Sequence, residues 1–111
     1  MYLRPDEVAK VLELKGFIKD YITDKAYGFR KGSHYVYVNR QVRLGRTALV
    51  IHPELGKKSL QYAVPAEERN MSELYTAFPS DNSAGAEFHY GIAHGFSSRK
   101  LLEHYLDCMF Q

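Results

Sequence analysis

Between Gly16 and Pro53 four short β-rich runs follow one another, "GFIKDYIT", "KAYGFR", "SHYVYVNR" and "RTALVIHP", separated only by turn-length gaps. Parallel strands need a crossover of about a dozen residues or more, so gaps this short predict antiparallel pairing. In "SHYVYVNR", Tyr35 and Tyr37 fall on one side and Val36 and Val38 on the other, the alternation of a sheet with two distinct faces. Asp24-Lys25 reads as a hairpin turn, Gly45 as part of the turn before the last run, and Pro53 as its end. These features predict a meander.

Helical patterns frame this region. In "LRPDEVAKVLELKGF", Pro5 suits the first helical position, and Asp6 and Glu7 lie where the helix dipole favours acids. Val8, Val11, Leu12 and Lys15 keep helical spacing, Leu14 falls off their stripe, and Gly16 is placed to end the helix in a left-handed conformation. Near the other end, Ser97 or Ser98 offers an N-cap, followed by an apolar stripe of Leu102, Tyr105, Leu106 and Met109 that Leu101 and Phe110 widen. The predicted fold is α+β: an N-terminal helix, an antiparallel sheet of four to five strands, and a C-terminal helix packed on the sheet, with both helices on one face. At 111 residues, the whole span 1–111 reads as a single domain able to bury a core without a disulfide or structural metal.

Residues 54–88 carry weaker signals. "SLQYAVP" predicts a further strand, "AEERNMSELYTAF" one or two helical turns, and "PSDNSAGAE" a surface loop. Hydrophobic content of 45% and charged content of 25% exclude a disordered chain. No apolar run approaches the length of a membrane span, no secretory signal opens the chain, and Cys108 is the only cysteine. A cytoplasmic protein without membrane attachment, a monomer or weak homodimer, is the expectation.

Charge is unevenly spread. The net charge is +2, but residues 25–46 hold Lys25, Arg30, Lys31, Arg40, Arg43 and Arg46 with no acid. Cations interleaved with tyrosines can neutralise phosphates and stack bases, which makes Arg30, Lys31, Arg40, Arg43 and Arg46 candidate nucleic-acid contacts. The competing reading is that alternating strand positions send these cations to different faces, where they solvate edges and block aggregation.

"HYGIAHGFSSRK" at 89–100 is the most site-like stretch. His94, Ser97, Ser98 and Arg99 at a helix N-terminus form a candidate anion site. Structurally, Gly91 and Gly95 would permit unusual backbone angles, a serine would cap the helix, and Phe96 would staple onto Leu101 if Ser97 is the cap. His89 and His94 lack partners at metal-ligand spacing, so no metal or other cofactor is predicted. Cys108 falls in an apolar turn where a buried thiol is inert, and Ser97 and Ser98 lack a nucleophile-elbow setting. No catalytic residue is assigned.

Four blocks, "MYLRPDEVAKVLELKGF", "KAYGFRKGSHYVYVNR", "GRTALVIHP" and "HYGIAHGFSSRKLLEHYL", together resemble the YgaC family of small bacterial cytoplasmic proteins of unknown function. The resemblance is weakest over 54–88, and the chain departs from the family pattern at Leu14, Gln41 and Leu101. It implies an α+β fold grouped with the N-terminal domain of the competence regulator TfoX, and it implies no activity. The reading is of a non-enzymatic binding or regulatory module, with a protein or nucleic acid as partner. The alternatives are a nucleic-acid-binding regulator using segment 25–46 and a small metal-independent enzyme cleaving RNA or phosphate esters.

Overall fold

A computed structural model describes residues 1–42, 44–81 and 87–111. Helix α1 (Pro5–Leu14) starts at Pro5, with Glu7 Oε1 accepting the Arg4 N–H at 3.0 Å. Gly16, at φ +91°, turns the chain out of it, as predicted. The meander follows as β1 (Ile18–Ile22), β2 (Ala26–Lys31), β3 (His34–Asn39) and β4 (Leu49–Ile51), each antiparallel to its predecessor. In the first hairpin turn, Thr23 Oγ1 accepts from the N–H groups of Lys25 and Ala26.

A 3-10 turn (Pro53–Leu55) then leads into the short α2 (Gly56–Ser59). Next come β5 (Glu67–Ser72), β6 (Ser80–Asp81), β7 (Phe88–His94) and α3 (Arg99–Met109). The sheet runs β1-β2-β3-β4-β7-β5, and β6 pairs with the start of β7. The class is α+β with helices at both ends, as the periodicities predict. The sheet is wider than predicted, with seven strands among the described residues.

The extra width comes from segments that lack an alternating apolar pattern. "SLQYAVP" is not a strand: Ser59 ends α2, and the N–H groups of Tyr62 and Ala63 both reach back to the Ser59 carbonyl. "AEERNMSELYTAF" is not helical: its first part is β5, a polar edge strand that pairs with β7. Charged side chains along such an edge discourage further strand pairing. The predicted loop "PSDNSAGAE" begins as β6 at Ser80–Asp81, and its residues 82–86 lie outside the described residues. The first half of "HYGIAHGFSSRK" is strand, since His89 to His94 belong to β7.

The sheet has a core on each face. Val8, Val11, Leu12, Leu102, Leu106 and Met109 are all buried with Val36, Val38, Leu49 and Ile51 between the helices and the sheet. On the far face Tyr37, Val50 and Ala93 pack with Tyr75 and Phe78, and the Ala77 N–H donates to Tyr37 Oη at 3.0 Å. The predicted split of tyrosines from valines in β3 is therefore the split between two cores. Leu14 is exposed, as predicted, whereas Leu101 lies outside the buried stripe at 55% exposure.

Gly91 corrects a prediction. Its φ is not positive, so it does not serve an unusual backbone angle. A Cβ there would come within 2.5 Å of Val50 Cγ1 and 2.8 Å of Phe78 Cε2, so glycine is needed for close approach. Gly95 is similar, with the Arg46 carbonyl oxygen 2.5 Å from its would-be Cβ.

Two variants test this packing by urea unfolding. Leu106→Ala, at a fully buried helix position, should lose about 2–5 kcal/mol, and an unchanged midpoint would mean that α3 buries another face. Gly91→Ala should lose about 1–3 kcal/mol through overpacking; a gain in stability would show that β7 has room on its far face.

Candidate functional site

Antiparallel register fixes the centre of the site. His94 at the end of β7 stands opposite Leu49 of β4, and period-2 alternation sends His94 and Ile92 to the helix face while Ala93 joins the far core. His94 is only 1% exposed. Above it, Tyr105 descends from α3 and Ser59 from the end of α2. Ser59 Oγ lies 3.0 Å from His94 Nε2 and 2.6 Å from Tyr105 Oη.

Hydrogen-bond chemistry gives this chain a direction. His94 Nδ1 is 3.3 Å from the Ile92 carbonyl oxygen, which can only accept, so Nδ1 carries the proton. Burial holds the imidazole pKa down at about 4, so the ring is neutral near pH 7 and Nε2 is an acceptor. Ser59 therefore donates to His94, and Tyr105 donates to Ser59. Burial likewise pushes the Tyr105 phenol up to about 12. Phe96 seals the group, with ring centroids 4.8 Å from Tyr105 and 6.3 Å from His94.

A serine beside a histidine invites comparison with nucleophilic catalysis. An imidazole with a pKa near 4 is poorly matched as a general base at pH 7. Its second nitrogen is spent on a backbone carbonyl, and the serine oxygen already accepts from a phenol. The geometry suits holding α2 and α3 on the sheet better than moving a proton.

Two pockets flank the chain. The first, of about 250 Å³, is walled by Tyr2, Tyr62, Val64, Phe96, Leu101 and Tyr105. The second, of about 230 Å³, has Ser59 and His94 in its lining with Leu60, Pro65, Ile92 and Glu68. Segment 60–65 contributes to both.

The predicted site residues are dispersed. On β2, Arg30 and Lys31 are neighbours and so face opposite sides. Arg30 Nε lies 3.5 Å from Asp20 Oδ2, while Lys31 Nζ sits 5.8 Å from the centre of the Phe17 ring. Arg40 donates to the Thr23 carbonyl at 2.5 Å, with its guanidinium carbon 4.2 Å from the Tyr27 ring centre, and Arg46 donates to the Ala66 carbonyl at 2.8 Å. Arg43 lies outside the described residues.

The proposed anion cluster is not assembled either. His94 is buried and neutral, whereas Arg99 borders a different hollow, shared with Lys10, Glu13 and Leu14. Of the two serines, Ser98 is the cap, its Oγ accepting the Leu101 N–H at 3.2 Å, and Ser97 lines the first pocket. With Ser98 as cap, the predicted Phe96–Leu101 staple loses its register, and Phe96 packs on Tyr105 instead. His89 and His94, five apart on one strand, face opposite sides, and His89 Nδ1 donates to the Phe78 carbonyl at 2.8 Å. Among the described residues no three His, Cys, Asp or Glu groups converge as a metal site. Cys108 is half-buried rather than buried, with its Sγ 3.6 Å from His104 Nε2.

Ser59 and Glu68 were missed because they lie in the segment without periodicity. One signal was present: a tyrosine on the buried stripe of α3 needs a partner for its hydroxyl.

The chain makes stability depend on pH. The unfolded histidine takes up its proton near 6.5, the folded one only near 4, so the unfolded state binds more protons between these values and stability falls as pH falls. The loss should approach about 3 kcal/mol by pH 4. His94→Gln keeps an acceptor for Ser59 without titrating, so its unfolding free energy should fall less steeply than that of the wild type over pH 6.5 to 4. Parallel profiles would show that His94 is not held neutral.

The comparisons with known proteins agree with one another. A family model described as a protein of unknown function (DUF2002) matches residues 1–110. Proteins bearing the name uncharacterized protein YgaC, in two strains of Escherichia coli and in Shigella flexneri, are each 56% identical over 110 residues, covering 99% of this chain and 96% of theirs. With the model matching from the first residue of α1's leader to the end of α3, the chain belongs to the DUF2002 family of proteins of unknown function.

Proposed function

We propose that the protein is a non-enzymatic binding module whose partner is another protein, docked by a large apolar side chain in the pocket walled by Tyr2, Tyr62, Val64 and Leu101. One observation carries this reading: these four side chains border one pocket and are 40%, 45%, 87% and 55% exposed. Leu60, beside them in the neighbouring pocket, is 63% exposed. Contiguous exposed apolar surface is unusual on a protein that works alone, and rigid aromatic walls suit an interface. At about 250 Å³ the pocket falls below the ~300–1,000 Å³ of drug-sized ligand sites. It matches one aromatic or branched side chain, the kind of anchor that dominates protein interfaces.

On this reading the cations of segment 25–46 serve the sheet, in keeping with the carbonyl, carboxylate and ring contacts of Arg30, Lys31, Arg40 and Arg46. A cytoplasmic setting belongs to the proposal; a sequence with one cysteine supports it. Among the described residues no helix is long and apolar enough to cross a membrane.

The test uses a defined probe and then a lysate. N-acetyltryptophanamide, followed by amide chemical shifts, should move Phe96, Leu101 and Tyr105 in the wild type. In Val64→Asp/Leu101→Glu the affinity should fall at least about tenfold, the loss typical of an anchor site. From a nuclease-treated lysate, proteins retained by the wild type should be lost by the double variant. Retention from an untreated lysate that ignores the double variant and is absent after nuclease treatment would overturn the proposal in favour of nucleic acid.

A further inference from the structure

The second pocket differs from the first in its polar chemistry. Its side-chain donors are all spent: His94 Nδ1–H goes to the Ile92 carbonyl, and the Ser59 hydroxyl goes to His94 Nε2. What its side chains still offer are acceptors. Glu68, an exposed residue, brings a carboxylate that makes no ion pair among the described residues, while Ser59, 2% exposed, keeps one lone pair after accepting from Tyr105. The remaining walls, Leu60, Pro65 and Ile92, are apolar.

We infer that this pocket binds an alkylammonium group, with its alkyl chain against Leu60, Pro65 and Ile92 and its charge at Glu68. An anion would meet a carboxylate and no free side-chain donor. A neutral alkyl group would cover the walls but leave the carboxylate unmatched. An ammonium is compact and carries three donors, which suits a site that presents only acceptors. Exposed Leu60 gains from being covered, as apolar surface does whenever it leaves water. A free alkylamine and a lysine side chain of a partner share this chemistry.

Amide chemical-shift titrations at constant ionic strength test it with n-butylammonium, n-butanol and butyrate. Butylammonium should produce saturable shifts at Ser59, Leu60, Ile92 and His94. Butanol should bind at least about threefold more weakly, and butyrate should cause no saturable shift, the scale set by one partly exposed ion pair. Glu68→Gln should weaken butylammonium by the same factor, while Glu73→Gln, at an exposed carboxylate outside the pocket, should leave it unchanged. Glu68 is itself exposed, so the fold should tolerate its replacement. N-acetyl-lysine-amide binding more tightly than butylammonium would identify a peptide lysine as the source, and weaker binding a free amine; both support the site. Butanol or butyrate matching butylammonium would overturn it, as would the absence of saturable shifts at tens of millimolar.

Discussion

Everything in this molecule hangs on the ladder between β4 and β7. Leu49, Val50 and Ile51 stand opposite His94, Ala93 and Ile92, and this pairing joins the N-terminal meander to the C-terminal half. Side chains alternate along a strand, so a slip of one residue would turn His94 to the far face and bring Ala93 beneath the helices. The far core makes such a slip costly, because Phe78 and Val50 leave no space for a side chain at Gly91. Register, a glycine and two cores therefore specify one another.

Given that register, the polar chain above it follows. A histidine on the helix face of the central sheet must be satisfied within the protein, since burial without partners is expensive. Ser59 and Tyr105 supply the partners from two different helices, and among the described residues no buried side-chain polar atom lacks one. The same three groups separate an aromatic pocket from an acceptor-lined one. Tyr105 lines the first pocket and Ser59 and His94 line the second, so both pockets are built against the same buried chain.

How much of this was legible in the sequence depended on periodicity. The helices at both ends, the four strands of the meander, the split of tyrosines from valines in β3 and the positive φ of Gly16 all leave repeating or steric signatures. Strand β5, "EERNMS", leaves none: it is an edge strand with no buried residue, formed because β7 offers it a partner. Strand β7 was hidden for the opposite reason. Its Gly91 is small because neighbours crowd it, and glycines at 91 and 95 ahead of serines at 97 and 98 read as a turn. The same gap hid Ser59 and Glu68, while the clustered charges of segment 25–46 looked more like a site than the fold makes them. Linear charge density says nothing about which face each cation takes.

At the centre of this arrangement His94 stands as a neutral, fully engaged strut. Long-range proton–nitrogen correlation spectra of the imidazole, recorded from pH 8 to pH 4.5, measure its tautomer and charge directly. The expected spectra show a neutral ring protonated at Nδ1, with Nε2 accepting and no further proton taken up until the pH approaches about 4. A ring protonated at Nε2, or one that becomes charged near pH 6.5, would contradict it.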